Sequence, residues 1–130
     1  LFPAASPYRI AVLLNKAELF AENGDSAKAL ALSRQAYEIT PDIPEVQLCY
    51  ADKLYKAGKL TLIPDVLILA SGQKYRQQFE ILWVAGMQKR IKQCNLNTQK
   101  EKIREFCRQL LAVDGDNTFA LDALKKLDHK

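Results

Sequence analysis

The sequence predicts an all-α fold of antiparallel helix pairs. Three observations carry that prediction. Apolar and small residues recur at three- and four-residue spacings, as in Leu13, Ala17 and Phe20. Gly24 and Gly58, the stop signals of two such stretches, stand 34 residues apart, an internal period of the length seen in helical repeats. Prolines fall at element boundaries, where a missing amide proton costs least: Pro41, Pro44 and Pro64.

Each element follows in order. The first helix spans Tyr8 to Glu22 and stops at Asn23-Gly24, because glycine tolerates the left-handed terminal conformation. Asp25 caps the next helix, about Ser26 to Ile39, by offering its carboxylate to free first-turn amides. Pro41 prevents continuation, and PEVQLCYADKLYKAG forms a third helix ending at Gly58. A short fourth helix starts near Ile63 with Pro64 in its first turn and ends at Ser71-Gly72. Tyr75–Ile91 is a long helix with Tyr75, Phe79 and Trp83 as a core stripe. CNLNT (residues 94–98) is the following turn, and about Gln99–Val113 the return helix. DGDN (residues 114–117) precedes a last helical segment, TFALDALKKLDHK, which resembles the first helix of another unit or a solvating cap.

The 130 residues match one domain, and 48% apolar with 26% charged residues argues against disorder. The longest apolar run, LTLIPDVLILA, is interrupted by Pro64 and Asp65 and falls short of the roughly 20 residues a membrane span requires, so no direct membrane insertion is expected. The opening LFPAASPYR lacks the order of a secretory signal, and Leu1 in place of Met suggests a piece of a longer chain.

Catalysis should leave a trace, and none is found. His129 lies in a charged tail, leaving neither a serine nor a cysteine nucleophile with a base. Cys49, Cys94 and Cys107 form no metal-binding pattern. They read as buried thiols, with a Cys94–Cys107 disulfide as the alternative in an oxidising compartment. No glycine-rich phosphate loop occurs. No catalytic residue, metal site or cofactor is therefore expected.

IAVLLNKAELFAENGDSAKALALSRQAYEITPDI (residues 10–43) resembles a tetratricopeptide repeat, with Leu13, Ala17, Phe20, Gly24-Asp25, Ala29, Ala36 and Pro41 at the matching places. Small residues at Ala17, Ala29 and Ala36 let two helix axes approach. The resemblance continues through units 44–72 and 73–117, where about six residues are inserted, and into a C-terminal helix at 118–130. It departs in the second unit, where Ile63 replaces a small residue. What the resemblance implies is a right-handed superhelical solenoid whose concave groove is lined by the first helix of each pair, acting as a protein–protein interaction or assembly scaffold. The groove positions carried over are Leu14, Glu18, Glu22, Glu45, Leu48, Asp52, Tyr55 and Lys56. The family's clamp for carboxylate tails needs Lys, Arg and Asn where this chain has Leu14, Glu18 and Asp52, so that ligand is not implied. An acidic groove with apolar patches instead suits a basic or amphipathic protein segment.

Charge is unevenly placed. Net charge is +4, and residues 73–108 hold 9 basic against 3 acidic side chains. Lys89, Arg90, Lys92, Lys100, Lys102, Arg104 and Arg108 cluster around the CNLNT turn and raise nucleic-acid or acidic-surface binding as an alternative. The core spacing of Tyr75, Phe79 and Trp83 weighs against a base-stacking platform. Two further alternatives are a structural spacer within a larger envelope or secretion protein and a homo-oligomer packed through an apolar face of the first helix. The family occurs both in cytoplasmic complexes and in bacterial envelope proteins; the cytoplasm is given slight preference over a periplasmic setting.

Overall fold

A computed structural model describes residues 6–70 and 72–128. Ser71 and His129, both singled out above, lie outside the described residues. Among those residues the chain is all-helical: α1 (Pro7–Glu22), α2 (Ser26–Ile39), α3 (Pro44–Lys56), a 3-10 turn (Leu60–Leu62), α4 (Ile63–Val66), α5 (Arg76–Gln93), α6 (Lys100–Val113) and α7 (Thr118–Asp128). No helix among them is long and apolar enough to cross a membrane.

The C-terminal ends of α1 and α3 are built alike. Gly24 has φ +82° and Gly58 has φ +75°, a backbone region that favours glycine. At the first turn Asp25 N–H donates to Phe20 O at 2.8 Å and Gly24 N–H to Ala21 O at 3.1 Å; at the second, Lys59 N–H donates to Leu54 O at 2.9 Å and Gly58 N–H to Tyr55 O at 3.0 Å. The 34-residue interval read between the two glycines thus recurs in every partner of both caps. Asp25 also accepts from Lys28 N–H at 3.1 Å and starts α2, as its side chain predicts.

Packing follows chain order. α1 folds back on α2, α2 packs on α3, and α3 also contacts α1 and α5. Ala17 and Ala36 are fully buried and Ala29 is almost so, which lets these axes close. A first core gathers Ile10, Leu13, Ala36 and Val46. A second centres on Tyr50, Ala51, Leu54, Ile63 and Phe79, and the Tyr37 ring packs on Tyr50 at 5.1 Å between centroids, tilted by 37°. The third joins Met87 and Ile91 of α5, Ile103, Cys107 and Leu110 of α6, and Ala120 and Leu127 of α7. Trp83 packs against both the second and the third core, and Phe79 is fully buried, so the stripe read from their spacing is a core stripe.

Several boundaries differ from the sequence reading, most by one or two residues, as where α5 runs to Gln93, and two differences are informative. α4 ends at Val66 rather than near Ser71, and Leu67–Ala70 leave the helix. The cause is Gln47, only 2% exposed. Its Oε1 accepts from Ile68 N–H at 3.1 Å while its Nε2 donates to Pro41 O at 2.8 Å. A side-chain amide thus satisfies a backbone group that a helix would otherwise have to satisfy. The other difference is Tyr75, which stands before α5 instead of inside it, in the left-handed region at φ 65°.

At the CNLNT turn, Asn95 Oδ1 accepts from Asn97 N–H at 2.8 Å and Thr98 N–H at 3.1 Å, the local bonding that favours asparagine in turns. DGDN ends in a cap: Asn117 Oδ1 accepts from Ala120 N–H at 2.9 Å and begins α7.

Candidate functional site

The α1, α3 and α5 helices share a cleft of about 420 Å³ lined by Glu18, Glu45, Leu48, Cys49, Asp52, Tyr75, Gln78 and Leu82. Its construction is helical. Glu45, Leu48, Cys49 and Asp52 recur at three- and four-residue spacings along α3 and so share a face, while Glu18 reaches in from α1. Gln78 and Leu82 repeat the four-residue spacing on α5. Four of the eight groove residues taken from sequence therefore line one cleft: Glu18, Glu45, Leu48 and Asp52. The other four stand outside its lining. Leu14 is half-buried against the first core, Glu22 is exposed, Tyr55 is 48% exposed, and Lys56 is exposed and turns its ammonium to Asp52 at 3.2 Å.

Sequence reasoning missed the residue that governs the cleft's charge. The Lys53 side chain is only 2% exposed, and its ammonium donates to Glu18 Oε1 at 2.6 Å and Asp52 Oδ2 at 3.0 Å. Two of the three carboxylates are thereby committed to lysine partners, and Glu45 is left as the cleft's exposed acid without an ion pair among the described residues. The cleft is thus less acidic than its lining residues suggest. Spacing places Lys53 on the side of α3 that holds buried Val46, seven residues earlier, but burial of the ammonium depends on Glu18 of α1.

The titrations follow this geometry. Burial alone disfavours the charge on Lys53, but hydrogen bonds to Glu18 and Asp52 outweigh it and raise the ammonium above its ordinary 10.5. Burial likewise acts to raise the Asp52 carboxyl, and the bonds from Lys53 and Lys56 reverse this, holding it below its ordinary 3.8. Burial pushes the Cys49 thiol up to about 11, with Glu18 adding to the effect against Lys53. Cys49 is therefore a neutral thiol and a poor nucleophile near neutral pH. Cys49, Cys94 and Cys107 are free in the structure, so Cys94 and Cys107 are not paired.

A pH dependence is expected from this cluster. The depressed Asp52 stabilises the fold above its ordinary carboxylate range, and that contribution is lost as pH falls through its lower folded value. The raised Lys53 stabilises below pH 10.5 and ceases to as pH rises through its higher folded value. Lys53→Met is expected to cost about 1 kcal/mol at pH 7, modest because both carboxylates keep contact with water. Urea unfolding across pH should show the difference from wild type shrinking at both extremes; a difference independent of pH would contradict the assignment.

In the basic segment Arg90 and Lys102 line one concavity and Lys92 another. Arg90 donates to Thr61 O at 2.8 Å and pairs with Asp65 at 2.9 Å, so it ties α5 to the 3-10 turn and α4. Arg104 pairs with Glu101, and Arg108 with Glu105 at 2.9 Å, both within α6. Lys102 lies over Phe106 and Lys92 over Phe119, on different faces of the α5–α6 hairpin. Lys89 and Lys100 are exposed. Among the described residues, no group of three or more His, Cys, Asp or Glu side chains is placed to hold a metal ion. No protein-family model matches this chain, and neither a curated protein nor a solved structure matches it.

Proposed function

We propose that this chain is a non-enzymatic helical-repeat scaffold of the tetratricopeptide type, a right-handed superhelix of helix pairs that holds a segment of a partner protein between α1, α3 and α5. The observation that carries this reading is the convergence of Glu18, Glu45, Leu48 and Asp52 in one cleft with Tyr75, Gln78 and Leu82. The 34-residue register of the two helix-end caps supports the repeat architecture, as does the contact of α3 with both α1 and α5.

The geometry favours an amphipathic partner segment. Leu48 and Leu82 offer apolar anchorage, and Glu45 offers the charge that a basic side chain would meet, since Lys53 already holds Glu18 and Asp52. Nucleic acid is the weaker alternative, because Arg90, Arg104 and Arg108 each share their charge with a carboxylate of the same chain.

Affinity capture from an extract of the source cells tests the reading. Glu45→Lys with Gln78→Lys, both at exposed positions, is expected to weaken retention of the captured protein at least tenfold. A specific partner held equally by wild type and variant, or a captured nucleic acid whose release follows salt alone, would overturn it.

A further inference from the structure

A second concavity lies on the flank of the third core, apart from the cleft above. It measures about 320 Å³ and opens between the last turn of α5, the 94–98 turn, α6 and α7. Its walls are apolar: Ile91, Leu96, Ile103 and Phe119. Ile91 and Ile103 are core residues, but Leu96 is 47% exposed and presents apolar surface that the described fold does not cover.

The mouth is cationic. Lys92 and Lys126 stand there with Asp122, one helical turn before Lys126. Among the described residues of this half, Arg90, Arg104 and Arg108 are engaged with carboxylates whereas the lysines are not, and of these lysines Lys92 and Lys126 are the two that line the cavity. Lys92 and Lys126 make no such pair among the described residues, and the Lys92 ammonium lies 5.4 Å from the Phe119 ring centroid, directly beside the apolar wall. Two cations and one carboxylate leave a single positive charge at the rim of an apolar cavity.

From this arrangement we propose that the cavity binds a small aliphatic monocarboxylate. The chain enters against Ile91, Leu96, Ile103 and Phe119, and the carboxylate faces Lys92 and Lys126. A single negative charge matches the net charge at the mouth, whereas a dianion would meet Asp122 with only one cation in excess. The volume is at the small end of ligand cavities, which suits a short chain rather than a folded segment. This proposal is independent of the α1–α3–α5 cleft and stands or falls without it.

Isothermal titration with hexanoate, octanoate and decanoate is the test. Affinity is expected to tighten about three- to fourfold per added methylene until the chain fills the cavity. Lys92→Gln with Lys126→Gln, both exposed, should weaken octanoate binding about tenfold or more while leaving octan-1-ol unchanged. Ala123→Trp should block both ligands, and bound decanoate should slow alkylation of Cys94, which also lines the cavity. The idea fails if decanoate shows no saturable binding, or if octanoate and octan-1-ol bind equally to wild type and the lysine variant. Sedimentation with phosphatidylglycerol vesicles, lost in the lysine variant, would reassign the two lysines to a membrane surface and overturn it as well.

Discussion

Gln47→Leu is expected to lower stability by about 3 kcal/mol, because it strips two backbone groups of their partners at once. Leucine has a comparable volume but branches one carbon nearer the backbone and carries no polar atom, so neither bond can be replaced. Ile68 N–H and Pro41 O each lose a hydrogen bond from the same amide, in a place where Gln47 is 2% exposed. Thermal unfolding should show a fall of roughly 10 °C in midpoint. Hydrogen exchange supplies the more discriminating readout: the Ile68 amide should lose protection by more than the amides of α1. A variant as stable as wild type, or protection lost evenly along the chain, would mean that water replaces the amide and that the 67–70 segment is held by its apolar contacts alone.

Gly86→Ala is expected to destabilise by about 2 kcal/mol, although alanine is the better helix former by about 1 kcal/mol. A Cβ at this position would stand 2.6 Å from Pro64 Cδ and 2.8 Å from the Leu60 carbonyl oxygen. Neither neighbour is the flexible end of a side chain, so α5 must move away from the 3-10 turn and α4. That movement also stretches the Arg90 bonds to Thr61 O and Asp65, which cross the same seam one turn further along. Far-ultraviolet circular dichroism of the folded variant should be unchanged while its urea midpoint falls. A gain in stability would show that the seam is loose enough to accept a methyl group.

The sequence made the local structure legible where the signal was itself local. Asn23-Gly24-Asp25 announced a turn and a cap within three residues, and the structure forms both. The same holds for Pro44 at the start of α3 and for the spacing of Phe79 and Trp83. Long-range decisions were hidden. Nothing near Ile68 says that its amide proton will go to Gln47, 21 residues earlier. Gly86 looks like a weak point in a helix until Pro64 is seen packed on it. Glu18, Glu45, Leu48 and Asp52, half of the cleft lining, are positions carried over with the repeat resemblance, and the last three keep a helical spacing on α3. Lys53 was not legible in this way, since burial of its ammonium depends on Glu18 from another helix. The basic segment is a different case. Glu101 and Glu105 stand three residues before Arg104 and Arg108, so the pairs that offset part of its charge were readable in the sequence.

The position of Trp83 has a consequence for how the molecule comes apart. It is the chain's single tryptophan, and its indole belongs to two adjacent cores at once. Opening either core therefore exposes part of the same side chain, so each half carries a penalty for the other's disorder. Coupling of that kind is what turns a row of neighbouring clusters into one cooperative unit. The intrinsic fluorophore sits on the joint itself: its emission reports the communication between the two halves, where a label in either core would report only its own.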